Sequence, residues 1–150
     1  MGTKISQMTP ADALDGTESV PVVQSGASKK ATQSQVKTYV RKNASTAVSS
    51  ASGVLALNAS LGDYFTITLT ENVTSITFSN LPGASYGTTL MLQITQHASS
   101  PKTVAWPSSF KWVGGAAGTV SAVNSAVDVL AITTFDNGTT WRATLANGFA

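Results

Sequence analysis

The chain has 150 residues, a length that suits one compact domain with an appendage. Hydrophobic residues make up 42%, enough for a buried core, but charged residues make up only 11%, against roughly 25% in ordinary soluble domains. The absence of cysteine excludes disulfides and thiolate metal sites, and no run approaches the ~18 apolar residues of a membrane span.

Serine and threonine therefore carry most polar positions. Formal net charge is +2 with a sequence pI near 9.0, and the charges are unevenly placed. Six Lys/Arg stand against three Asp/Glu up to Ser52, and three against four from Gly53 onward. The segment 1–10 has no apolar signal-type region, so a soluble chain without a visible export signal is expected.

Residues 1–30 read as an irregular arm with turn signals at Thr9-Pro10, Asp15-Gly16 and Ser25-Gly26. Between the last two lies the extended run Ser-Val-Pro-Val-Val-Gln, from Ser19 to Gln24. Pro21 lacks the amide a central strand would donate, so this run is expected as an edge strand or as a strand added to another protein's sheet.

Thr32 and Gln35 have the spacing of a capping box, and a helix over about 33–43 would put Val36, Tyr39 and Val40 on one stripe. So short a helix is marginal alone, and its stripe needs a partner, either the chain's own sheet or the same helix in neighbouring copies. Lys29, Lys30, Lys37, Arg41 and Lys42 form a basic run that could neutralise phosphates, but a solvated helix face is the expected reading, with no nucleic-acid partner. Residues 43–52 are small and polar, which suits a linker or a fraying helix end.

From Gly53 the period changes to two. Phe65, Ile67 and Leu69 alternate with Tyr64, Thr66, Thr68 and Thr70, and Glu71-Asn72 breaks the run before Ile76 and Phe78 resume it. Leu81-Pro82-Gly83 turns the chain. Leu90, Leu92 and Ile94 then oppose Met91, Gln93 and Thr95, and Val104 with Trp106 repeats the pattern. Residues 114–118 are a glycine- and alanine-rich loop. The run 127–135 is apolar at both parities, which predicts a central strand covered on both faces. Asp136-Asn137-Gly138 is the strongest hairpin signal in the chain and leads into Trp141, Ala143 and Leu145. The predicted fold is mainly β: an antiparallel β-sandwich or jelly-roll-like domain over 53–150, preceded by an arm, short α-helix and linker over 1–52.

Several of these segments occur in an order with a known parallel. Gly53-Val54-Leu55, Asp63-Tyr64-Phe65, Asn72-Val73-Thr74-Ser75-Ile76-Thr77-Phe78, Val104-Ala105-Trp106-Pro107, Phe110-Lys111-Trp112-Val113-Gly114-Gly115 and Asp136-Asn137-Gly138-Thr139-Thr140-Trp141 together resemble a β-sandwich module of tailed-phage fibre and other virion proteins. The arm, with Lys4-Ile5-Ser6, Gly16-Thr17-Glu18 and Val20-Pro21-Val22-Val23-Gln24, is similar to the openings of phage appendage proteins. The resemblance implies a non-enzymatic component of the virion exterior, usually a homotrimer, fixed to a capsid, neck or tail partner by its front end. On that reading Ile5, Leu14, Val20, Val22 and Val23 dock on the particle, and Val36, Tyr39 and Val40 pack the trimer or the arm. A capsid decoration protein and an adhesin for host glycan are the alternatives, the latter using Trp106 and Trp112 as stacking surfaces; as packing residues, the tryptophans would instead be buried.

The remaining chemistry is sparse. His97 stands alone beside Ser99-Ser100-Pro101 and makes neither a zinc site nor a triad, so a surface role is expected. Asp63, Glu71, Asp128 and Asp136 could supply a pair of carboxylates for glycoside cleavage, but Asp63 and Asp136 fall in turns and Asp128 reads as a hydrogen-bonded or interface residue. The 114–118 loop lacks the Lys-Ser or Lys-Thr of a phosphate cradle. No catalytic residue, metal or cofactor is expected.

Overall fold

The computed structural model describes residues 19–32 and 44–149. The chain divides into two compact units, Met1–Arg41 and Lys42–Ala150, each taken here by itself.

In the first unit, β1 (Ser19–Gln24) and β2 (Ala27–Thr32) form an antiparallel hairpin, with Pro21 opposite Lys30 and Val22 opposite Lys29. Ser25 and Gly26 both take positive φ, 53° and 75°, the geometry that matches a two-residue turn to the twist of its strands. The arm is thus more regular than expected. Pro21 does lie on a strand with a single partner, but that partner is the chain's own β2. Lys29 and Lys30 sit at successive positions of β2, which corrects the expected helix face for these two. Ile5, Leu14 and the predicted helix with Val36, Tyr39 and Val40 lie outside the described residues.

The second unit is two sheets. The larger has six strands: β3 (Ser45–Ala47), β6 (Tyr64–Thr68), β8 (Thr88–Thr95), β10 (Val127–Thr134), β11 (Trp141–Phe149) and β9 (Phe110–Trp112), adjacent in that order. The smaller has β4 (Ser50–Ala51), β5 (Val54–Asn58) and β7 (Ser75–Ser79). Ser45–Ala47 and Ser50–Ala51, within the stretch expected as linker, are therefore strands: Thr46 is opposite Phe65, and Ser50 opposite Leu55.

The mainly β, sandwich-like architecture matches the sequence reading, but its pairing is mixed. β8–β10, β10–β11 and β4–β5 are antiparallel, whereas β3–β6, β6–β8, β5–β7 and β9–β11 are parallel. The cause is the route of the chain. From β5 to β8 each connection crosses to the other sheet, so every second strand returns to its sheet in the same direction. The first crossing is a 3₁₀ turn (Ala59–Leu61), whose Ser60 amide donates to the Asn58 side chain at 3.0 Å. Val104, expected on a strand, makes a single parallel bridge to Val73.

Inward positions follow the period of two. Leu55, Leu57 and Ile76 from the small sheet meet Phe65, Ile67, Leu90, Leu92, Ile94, Leu130, Ile132, Trp141 and Ala143 from the large one in a single buried cluster. One end is closed by rings: Trp106 lies edge-on to Trp112 at 5.3 Å, and Phe110 is within about 6 Å of Phe78, Trp106 and Trp112.

Buried polar groups anchor the loops. Gln96, 3% exposed, donates through Nε2 to the Lys102 and Ser121 carbonyls, and its Oε1 accepts from the His97 and Lys102 amides, all at 2.8–2.9 Å. All four of its hydrogen-bonding positions are used. Thr134, fully buried, donates to Asp136 Oδ1 at 2.8 Å and accepts from the Gly138 amide at 2.8 Å, fixing the β10–β11 turn.

Candidate functional site: the outer face of the large sheet

The strand with apolar residues at both parities, β10, is central as predicted, but its two faces differ. Asp128, Leu130, Ile132 and Thr134 point into the core and are buried, while Val127, Val129, Ala131 and Thr133 point outward and are only half-buried. Coverage of both faces is thus not achieved by residues 44–149 alone.

The strand register assembles this outer face from parts distant in sequence. One cross-strand row reads Ser45, Tyr64, Met91, Ala131 and Thr144. The next reads Ala47, Thr66, Gln93, Val129 and Ala146, and a third Thr68, Thr95, Val127 and Phe149. None of these side chains is charged. Tyr64 is 45% exposed and Phe149 52%, and a shallow depression of about 470 Å³ lies among Ser45, Tyr64, Thr66, Met91, Gln93 and Val129. An outer sheet face is ordinarily polar where it meets water. Over these three rows it is a mixed apolar and hydroxyl surface, suited to burial against a surface of similar character; the row beyond, Thr89, Thr133, Arg142 and Lys111, carries two cations.

Other predicted residues are spent on structure. Trp106 donates from Nε1 to the Gly118 carbonyl at 2.6 Å and packs against Trp112 and Phe110, so both tryptophans that the adhesin alternative would use as stacking surfaces belong to the aromatic end of the core, as the packing reading has it. His97 Nδ1 accepts from the Ser99 and Ser100 amides at 3.2 and 3.1 Å and closes a turn. Glu71 accepts from the Gly53 amide at 3.1 Å.

Asp128 is 2% exposed and accepts from the Ser121 amide and hydroxyl, both at 2.6 Å, and from the Gly148 amide at 2.9 Å. Burial acts to raise its pKa, but the bonds from Ser121, Gly148 and Asn147 outweigh it and hold the carboxyl below the ordinary aspartate range. Asp136 is lowered by the Thr140 amide and the Thr134 hydroxyl. Three of the four candidate carboxylates are thus committed to backbone or turn. Among the described residues no group of His, Asp and Glu could hold a metal ion, and no helix is long and apolar enough to cross a membrane.

Of the predicted docking residues, Val20, Val22 and Val23 lie on β1, and Val20 is 41% exposed. The outer face itself was signalled by the double-parity run at 127–135 and by Tyr64 and Met91 alternating out of the core, but only the register brings them together. No family model, curated protein or solved structure matches the chain.

Proposed function

We propose that this is a non-enzymatic virion structural protein of a tailed phage, a short homotrimeric fibre- or spike-type appendage. Its front segment docks on another virion protein and its sandwich projects from the particle. The observation that carries the reading is the block of three uncharged rows on the outer face of the large sheet, in which Tyr64, Met91, Val127, Val129 and Phe149 stand half-buried or exposed, with Arg142 and Lys111 confined to the row beyond it. A second copy is the occupant these rows fit, because pairing through them brings no like charges together and buries no unpaired ion. The β1–β2 hairpin supports the docking half of the proposal, since a lone two-stranded ribbon is marginal in water and gains from a partner.

Sedimentation equilibrium of the full chain, with immunogold labelling of phage particles that carry it, tests both halves. A trimer in solution and label on the particle exterior are expected. A chain that stays monomeric at high micromolar concentration and is absent from purified particles would overturn the assignment.

A further inference from the structure

One row of the outer face departs from the uncharged character of its neighbours. Thr89 on β8, Thr133 on β10, Arg142 on β11 and Lys111 on β9 are consecutive cross-strand partners. Thr89, Arg142 and Lys111 are exposed and Thr133 is half-buried, so all four stand on the solvent side of the sheet. Residues 44–149 hold three Lys or Arg in all, Lys102, Lys111 and Arg142, and two of the three are placed directly opposite each other. Like charges in that position destabilise a sheet. The pair is a place where an anion is missing.

Asp136, in the β10–β11 turn, attracts Arg142 electrostatically, but it lies outside the row, and its Oδ1 already accepts from the Thr140 amide and the Thr134 hydroxyl at 2.8 Å each. It offsets Arg142 in part and leaves Lys111 uncompensated. Lys111 Nζ donates to the Ser108 carbonyl at 3.2 Å, and two of its three N–H groups remain for another acceptor. The Thr89 and Thr133 hydroxyls are 3.0 Å apart; one donates to the other, which leaves one hydroxyl hydrogen to give. Guanidinium, ammonium and hydroxyl thus form a run of donors on adjacent strands, spaced by about 4.8 Å.

The geometry points to a binding site for a phosphomonoester, seated between Arg142 and Lys111 with the Thr89–Thr133 hydroxyl pair beside it. Such a group carries a charge of roughly −1.5 to −2 near neutral pH and three acceptor oxygens, so it can meet both cations and the hydroxyl together. Arg142 supplies a planar fork that takes two oxygens, and Lys111 a point charge. A phosphodiester or a carboxylate carries a single charge and satisfies one cation while the other stays unpaired. Both are therefore weaker ligands. The row is exposed and screened by salt, so the affinity is modest, in about the millimolar range. A soluble ester and a lipid headgroup present the same chemistry. The site is complete within one copy and does not rest on the proposed trimer.

Backbone amide shifts of the isotope-labelled full chain, followed at constant ionic strength and slightly alkaline pH, test it with glycerol 3-phosphate, dimethyl phosphate and acetate. Glycerol 3-phosphate should move the amides of Thr133, Arg142 and Lys111 and bind about fivefold or more tightly than either monoanion. Arg142→Gln and Lys111→Gln should each weaken it by about fivefold or more, whereas Lys102→Gln should not. Cosedimentation with phosphatidylcholine vesicles containing phosphatidic acid identifies the source: retention that is lost in Arg142→Gln assigns the lipid headgroup to this site, and no retention assigns the soluble ester. The proposal is overturned if glycerol 3-phosphate does not bind, if acetate or dimethyl phosphate binds as well, or if Arg142→Gln binds like the parent. It is equally overturned if Arg142→Gln changes the oligomeric state, because the cations would then face a carboxylate of a neighbouring copy. A monomeric parent that binds glycerol 3-phosphate would sink the trimer and leave this site standing.

Discussion

Phe78 and Trp141 stack with ring centroids 4.4 Å apart and planes tilted by 29°, and they come from opposite sheets, β7 and β11. This contact joins the layers near the aromatic end of the core. Trp141 is fully buried, yet its Nε1 has no hydrogen-bond partner among the described residues. Its contribution is therefore packing, offset by a donor removed from water and left unpaired. Trp141→Ala should cost about 3–5 kcal/mol of unfolding free energy, the range for truncating a large buried ring. Trp141→Phe keeps a ring against Phe78 and removes the orphan donor, so its loss in urea denaturation should be well under half as large. Equal losses in the two variants would show that the indole nitrogen does find a partner.

Asp128 should give the unit a measurable acid limb. Its folded pKa is depressed, so the group stabilises the fold above its unfolded-state pKa of about 3.9, and that contribution is lost as pH falls through the lower folded value. In Asp128→Asn the amide must aim its NH₂ at either the Ser121 amide or the Gly148 amide, both of which are donors. A cost of about 1–3 kcal/mol at neutral pH is expected from the mismatched buried group. Unfolding midpoints measured from pH 7 down to pH 2 should converge for parent and variant at the acid end. Curves that stay parallel throughout would contradict the assigned hydrogen bonds.

Sequence periodicity made the long strands legible because each has one wet and one dry face. Phe65 and Ile67, Leu90 to Ile94, and Trp141 with Ala143 all point inward as the alternation predicts. The short strands carried no such signal: Ser45–Ala47 and Ser50–Ala51 consist of small residues that suit a linker equally well. Alternation also fixes a strand's faces without fixing its sheet, which is why the crossings between β5 and β8, and hence the parallel pairs, were not foreseen. For the same reason Phe135 read as one more core residue at the end of an apolar run. Its parity places it outside.

The β10–β11 turn offers a test of local strain against crowding. Gly138 has φ +85°, and a Cβ there would stand 2.7 Å from Leu81 Cδ1, whereas Gly114, with φ +73°, has open space around it. Alanine at either position meets the left-handed penalty of about 1–2 kcal/mol. Gly138→Ala must also displace Leu81, a residue packed against the core. Thermal unfolding should therefore rank Gly138→Ala below Gly114→Ala. The reverse order would mean that the Leu81 contact is not formed.

The proposed contact between copies makes the most direct demand on a single side chain. Val129 sits in the middle of the outer face, in register with Gln93 and Ala146, and is half-buried within one copy. Val129→Lys leaves the inner core untouched, and the lysine stem can lie along the sheet with its ammonium in water. The stability of the isolated copy should then shift by no more than about 0.5 kcal/mol. If a second copy covers this face, the same lysine is forced into an apolar interface without a carboxylate partner, and association should fail. Ser79→Lys, at an exposed position of β7 on the other sheet, serves as the control and should leave association intact. Sedimentation velocity on the two variants decides the matter: loss of the trimer in Val129→Lys alone supports this face as the contact, and loss in neither moves the contact elsewhere on the chain.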